Sequence, residues 1–296
     1  MASAREILGR IKSVQNIGQV TRAMEAVSAS KMRKAQERTE ASREYADKAR
    51  EVLAHLASQS GASHAHELLQ GREPVKRVGI VLITPDRGFV GGLVSNILRK
   101  TMRFMEQNTG VEYKLITVGK KGRTFMRRYG PEIIGDFDNP GDDVTEGDAR
   151  GISQAVTSAF FNGELDAVYL AYAKFVNLMQ QDAVVRQLLP LGLEDLSEGA
   201  GPMSHGSAPY EIEPGPEEVL DSLLPTLVDM QVYQAITESL ASEHSARMVA
   251  MRAATDNAKE LAEDLRLTYN KARQAAITNE ILDIAGGAEA LAQADG

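Results

Sequence analysis

Residues 3–58 contain no proline, and their only glycines are Gly9 and Gly18. Apolar side chains return about every 3.5 positions along the first half of this run: Ile7, Ile11, Val14, Ile17, Val20 or Thr21, Met24, Val27, Ser28 or Met32, and Ala35. Ala, Glu, Arg and Lys fill most of the remainder, and all are good helix formers. The pattern predicts a single helix, roughly 80 Å long at the usual rise per residue, with an apolar stripe too narrow for a globular core. A second run of the same kind starts near Glu217 and reaches about Ile284, with Leu227, Ile236, Leu240, Met251, Leu265 and Ile281 among its markers. Pro225, near its start, is a candidate kink. Two such helices at opposite ends of one chain bury their stripes by packing on each other. They must run antiparallel if both leave the same middle domain, with residues 31–50 opposite 220–245.

The middle has a different texture. RVGIVLIT (77–84) is an aliphatic run of buried-strand type, followed by a Gly-rich turn and a helical stretch, Leu93–Gln107. YKLITVG (113–119), EIIGDFD (132–138), AVYLAYAKF (167–175) and AVVRQLLPL (183–191) read as further strands, separated by helical segments at Lys120–Tyr129 and Glu146–Phe161. Strands alternating with short helices imply a mostly parallel sheet with right-handed crossovers. The expected organisation is a coiled-coil helix over 1–58, a linker over 59–76, an α/β domain over 77–191, an acidic Gly/Pro-rich loop over 192–216, a second coiled-coil helix over 217–285 and a frayed tail over 286–296.

Charge is unevenly placed. The chain carries 33 Lys and Arg against 41 Asp and Glu, a net charge of -8. Residues 1–50 hold 11 basic and 6 acidic side chains, whereas residues 187–246 hold no Lys or Arg and 11 acids. A basic arm can signal nucleic acid, but here the cations are interleaved with helical apolar positions. That arrangement argues for protein partners, with the basic arm facing the acidic stretch across the helix pair. The absence of Cys excludes disulfides, thiolate-bound metals and thiol switches. Five scattered His suggest no metal centre. No apolar run approaches the ~20 residues of a membrane span, and Arg5, Glu6, Arg10 and Lys12 break any secretory signal pattern. These features predict a soluble protein without direct membrane insertion.

Signals for chemistry are sparse. The turn TPDRGFVGG (84–92) sits where a phosphate cradle would, but it is neither GxGxxG nor a P-loop. Its glycines read as turn and packing residues. The acid pair Asp142 and Asp143 reads as a solvated loop. No cofactor is expected. Two polar groups suggest contact with partners: YNKARQAAITNE (269–280) near the end of the second helix, and SKMRKA (30–35) beside Met24.

SVQNIGQVTRAMEAVSASKMRKAQ (13–36), DRGFVGGLVSN (86–96), FVNLMQQDAVVRQLLPL (175–191) and the long block 243–284 resemble the gamma subunit of the F-type ATP synthase, over essentially the whole chain. The resemblance implies α/β architecture plus a long coiled coil: antiparallel N- and C-terminal helices flanking a Rossmann-like α/β domain. It implies a noncatalytic rotor shaft inside a hexamer of alpha and beta subunits, with its foot against the epsilon subunit and the c-subunit ring. By that resemblance Arg273 and Gln274 engage a beta-subunit loop, with Thr278 and Glu280 nearby. Met24, Lys31, Arg33 and Lys34 resemble the region that slides past an acidic beta segment. Where the family often has Cys in the DRGxCGG turn, this chain has Val90, and residues 192–216 lack the cysteines of the chloroplast redox switch. A bacterial source on the cytoplasmic face of the plasma membrane is implied. Glu194, Asp195, Glu198, Glu211 and Glu213 are expected to form an acidic collar that docks on the ring or on epsilon. The alternative class is a stand-alone coiled-coil adaptor whose α/β domain binds a nucleotide.

Overall fold

A computed structural model describes residues 4–60, 66–192 and 216–294, with side chains described for 4–41, 66–192 and 218–285 apart from position 220. The chain forms two compact units, one of residues 28–247 and one of residues 1–27 with 248–296. Helix α1 (Ala4–Ser60) and helix α5 (Pro216–Ala294) contribute to both.

In the larger unit the elements between these helices are β1 (Arg77–Ile83), α2 (Leu93–Gln107), β2 (Glu112–Val118), α3 (Lys120–Tyr129), β3 (Glu132–Phe137), α4 (Glu146–Phe161), β4 (Ala167–Phe175) and β5 (Gln181–Leu189). The strand order is β3-β2-β1-β4-β5. The first four strands run parallel, and β5 returns antiparallel to β4. β1 is buried at every position after Arg77, which is why its sequence is continuously aliphatic rather than alternating. The edge strand β3 alternates between exposed and half-buried residues.

The pleat divides the core in two. Val78, Ile80, Leu82 and Leu115 point to Leu93, Ile97 and Leu98 of α2 and Met126 of α3. Val81, Ile83, Ile116 and Val168 point to the other face, where Ile152, Val156 and Phe160 of α4 meet Leu227, Val228, Val232 and Ile236 of α5, with Ala35 from α1. All residues from Ala235 to Ser245 are buried. The stretch without Lys or Arg thus includes a buried face of α5, and the two acids within that face, Glu238 and Glu243, are buried as well. Local chemistry starts the elements where sequence suggests. Thr145 and Asp148 form a reciprocal capping box on α4. The buried Asp166 carboxylate accepts the backbone N–H groups of Lys76 and Arg77 and the Arg77 guanidinium at the entry to β1.

Two boundaries differ from the sequence reading. α5 continues to Ala294 through Gly286 and Gly287, since each glycine costs only about 1 kcal/mol in a helix and strong helix formers surround the pair. Pro225 lies inside the uninterrupted helix. The segment read as linker holds a 3-10 turn, Glu67–Leu69, whose Leu68 is fully buried.

The smaller unit is an antiparallel helix pair. Thr21 Oγ1 lies 2.7 Å from Thr255 Oγ1, and Arg252 Nε donates to Glu25 Oε1 at 2.9 Å. A Cβ on Gly18 would meet Ala258 Cβ at 3.4 Å, so glycine there permits close helix approach.

Candidate functional site

The pairings Thr21 with Thr255 and Glu25 with Arg252 define the register of the smaller unit. Continued along both helices, that register sets Ala4 opposite Ala272. Residues from Arg273 onward therefore extend past the described start of α1. Arg273, Gln274, Thr278 and Glu280 are all exposed there, and Thr278 donates only to the carbonyl of Gln274. The same stretch carries Ile277, Ile281, Leu282 and Ile284 at 48–68% exposure. Contiguous apolar surface of this kind marks a partner interface. Ile17, Val20 and Val27 of α1 are likewise more than half exposed, while Met24 is half-buried.

The second predicted group divides in the larger unit. Arg33 and Lys34 are exposed and make no ion pair among the described residues. Lys31, by contrast, is taken up internally: its Nζ lies 2.5 Å from Asp142 Oδ2. Arg38 donates to the Asp142 carbonyl and, at 3.0 Å, to Asp143 Oδ1. His244 Nε2 on α5 meets Asp142 Oδ1 at 2.7 Å. Asp142, read from sequence as part of a solvated loop, thus lies where α1, α5 and the 3-10 turn Gly141–Asp143 meet, while Asp143 is exposed as that reading has it. Lys31 and Arg38 pair with this turn rather than with the acids of 220–245 that the sequence reading set opposite residues 31–50. Within α5, Glu243 accepts from Arg247 at 2.6 Å and Arg150 of α4 holds Asp229 at 3.3 Å.

Burial would raise the Asp142 carboxyl, but the hydrogen bond from Lys31 and the charge of His244 outweigh it and hold the group below its ordinary value. Burial pushes His244 below its ordinary value, against the pull of Glu243 and Asp142. The ring is then neutral at pH 7. Its Nε2–H donates to Asp142, and its Nδ1 accepts from Arg247 Nη1, 3.4 Å away. No sequence motif announces this cluster, because Asp142 lies 111 positions from Lys31 and 102 from His244.

The turn between β1 and α2 is not arranged as a phosphate cradle. In a doubly wound sheet, ligands bind beyond the carboxyl ends of the strands where the order reverses, which here is between β1 and β4. α5 occupies that edge. Ser242 Oγ donates to the Ala173 carbonyl at 2.9 Å, Ser245 Oγ to Leu178 at 2.7 Å, and Arg247 Nη2 reaches the Gly88 carbonyl at 3.5 Å. The amide at the start of α3 is taken too, donating from Lys120 to Asp86 Oδ1 at 2.8 Å. Val90 is buried in the core under α2, whereas its neighbour Phe89 has φ 62° and is 70% exposed. The hairpin tip with Leu178 and Met179 also presents apolar surface; sequence reasoning missed it, because hairpin-tip exposure has no periodicity. The predicted collar of Glu194, Asp195, Glu198, Glu211 and Glu213 lies outside the described residues. No helix among the described residues is long and apolar enough to cross a membrane.

Comparison with known proteins bears on the whole chain. The sequence model of a family described as ATP synthase matches residues 3–291. The ATP synthase gamma chain of Dehalococcoides mccartyi is 52% identical over 295 residues, covering 99% of this chain and all of that one. That of Chloroflexus aurantiacus is 47% identical over 294 residues, covering 98% and 99%. Among solved structures, a central stalk and c-ring assembly of the Tetrahymena thermophila mitochondrial ATP synthase has a similar chain with TM-score 0.58 and 25% identity, over 79% of this chain and 99% of that one. A chain of the Euglena gracilis mitochondrial ATP synthase shares the fold at TM-score 0.68 and 20% identity, over 97% and 94%. With full-length relatives at about half identity, and with a helix pair and α/β layer matching central-stalk chains, this protein belongs to the family of ATP synthase gamma chains.

Proposed function

We propose that the chain is the central rotor shaft of an F-type ATP synthase. It couples ion-driven rotation of a c-subunit ring to conformational cycling of catalytic beta subunits, and carries out no chemistry itself. The observation that carries this reading is the exposed stretch of α5 where Ile277, Ile281, Leu282 and Ile284 lie beside Arg273 and Gln274. A sleeve of alpha and beta subunits would cover this apolar surface, and small or apolar side chains would let the shaft turn there with few directional bonds to break. Because the shaft lacks threefold symmetry, each beta subunit meets a different face and is biased to a different nucleotide affinity. Arg273, Gln274, Thr278 and Glu280 serve as one beta contact, and Met24, Arg33 and Lys34 as further beta contacts. The epsilon subunit and the c ring bind the α/β end, placing the assembly on the cytoplasmic face of a bacterial membrane. Nucleic acid has no role.

Co-expression with alpha and beta subunits tests this. The unmodified chain is expected to assemble with them into an active ATPase, and Arg273→Ala with Gln274→Ala to cut turnover sharply. Failure of the unmodified chain to assemble would overturn the reading. Assembly with normal turnover of the double variant would remove those two residues from it.

A further inference from the structure

Most of what holds the α/β layer against the two long helices is apolar: the β-sheet face with Val81, Ile83 and Ile116 packs on α4 and on Leu227, Val232 and Ile236 of α5. Apolar burial resists separation but is non-directional, so it opposes sliding only through side-chain interdigitation. A domain that passes torque to a helix pair loads this contact in shear. One residue of the layer opposes shear on both helices at once. Asp142 gives one carboxylate oxygen to Lys31 of α1 and the other to His244 of α5, and its carbonyl to Arg38, which also holds Asp143. The chain of polar contacts goes on through His244 to Arg247, which reaches Glu243 and the Gly88 carbonyl of the β1–α2 turn.

The turn that presents Asp142 is itself anchored. Asn139 Nδ2 donates to the Thr84 carbonyl at the end of β1, and Asn139 Oδ1 accepts from the Gly141 amide at 3.0 Å. Gly141 adopts φ 77°, a conformation that favours glycine. The sequence NPGDD thus builds a short post on the sheet, with its carboxylate set between two helices. The Lys31 and Asp142 side chains are 41% and 39% exposed, so the pair's contribution to stability is small. Two-sided, directional geometry is what the cluster supplies.

We propose that Asp142 is a positioning residue, a clamp that locks the α/β layer to α1 and α5 so that torque passes between them, and that Lys31 and Arg38 serve this clamp rather than a partner subunit. The proposal rests on the rotor reading above. Its test uses the complete complex in inverted membrane vesicles, built on a background lacking cysteines; this chain supplies none. Two quantities are read: ATPase of the detergent-released, unloaded enzyme, and ATP-driven ion pumping per ATP hydrolysed. Asp142→Ala is expected to leave unloaded ATPase near normal and to lower pumping per ATP about threefold or more. In a Lys31→Cys/Asp142→Cys variant, bridging the pair with a reducible bis-thiosulfonate is expected to restore pumping, and dithiothreitol to abolish it again. An unchanged pumping ratio in Asp142→Ala overturns the clamp, as does a bridged pair that still pumps poorly. If Asp142→Ala fails to assemble, the cysteine pair decides alone: recovery on bridging supports the clamp, and no recovery overturns it. Failure of the unmodified chain to support pumping would instead count against the rotor reading.

Discussion

The hydroxyls of Thr21 and Thr255 meet at 2.7 Å in the buried seam of the smaller unit. Each also lies within reach of a carbonyl on its own helix, Gly18 at 3.1 Å and Met251 at 2.9 Å. Three contacts need three protons, and two hydroxyls carry only two. One back-bond to a carbonyl is therefore given up to make the bond between helices. Replacing either threonine with valine removes the cross-helix bond and leaves the other hydroxyl free to return fully to its own carbonyl. Each single change should cost about 1 kcal/mol, the net worth of one bond plus a partly unsatisfied oxygen. Thr21→Val with Thr255→Val removes both hydroxyls together and should cost no more than either alone, a coupling of about 1 kcal/mol. Native-state hydrogen exchange at amides around 18–25 and 252–258 reads the opening of this helix pair directly. Strictly additive single effects would refute the proton accounting and the seam register with it.

Three further outcomes follow from the larger unit. Gly119 has φ 95° and a Cβ there would sit 2.0 Å from the Thr84 carbonyl oxygen, so Gly119→Ala should lose about 3 kcal/mol or more. Gly88, with no heavy atom within 4 Å of its added Cβ, should accept alanine within about 0.5 kcal/mol, both read from denaturant midpoints. Asp166→Ala orphans two backbone amides and a guanidinium and should cost about 3 kcal/mol. Burial would raise that carboxyl, yet the amides of Lys76 and Arg77 and the Arg77 guanidinium bring it below 3.8. Its contribution is therefore present above 3.8 and lost as pH falls through the lower folded value, and Asp166→Asn should flatten that limb. His244 is held below 6.5 by burial, so the unfolded chain takes up its proton first and stability falls as pH drops below about 6.5. Lys31, Arg38, Asp142, Glu243 and Arg247 face this ring or its partner. His244→Gln keeps a donor toward Asp142 and should remove the slope that begins below about pH 6.5, measured by urea titration.

The two terminal helices were legible because helical periodicity is local: Ile7, Ile11 and Met32 are buried where the stripe places them, whereas Ile17 and Val27 of the same stripe are more than half exposed. β1, β2 and β4 were legible because aliphatic runs bounded by turn residues have few other ways to be satisfied. The exposed polar group at Arg273, Gln274, Thr278 and Glu280 could be read as a surface without knowing what covers it. The Lys- and Arg-free stretch is visible in the sequence, and residues 235–245 within it are buried. That burial, against the sheet and α4, depends on where the sheet lies rather than on any property of residues 235–245 alone. Asp142 shows the same limit more sharply. Locally it is one more acid in a Gly/Pro turn. Only the crossover from β3 to α4, which brings that turn beside two helices more than a hundred positions away on either side, makes it the shared partner of Lys31 and His244. Sequence determines elements through short-range periodicity and propensity. Which charges meet is decided by the tertiary fold, because electrostatic partners are selected by distance in space.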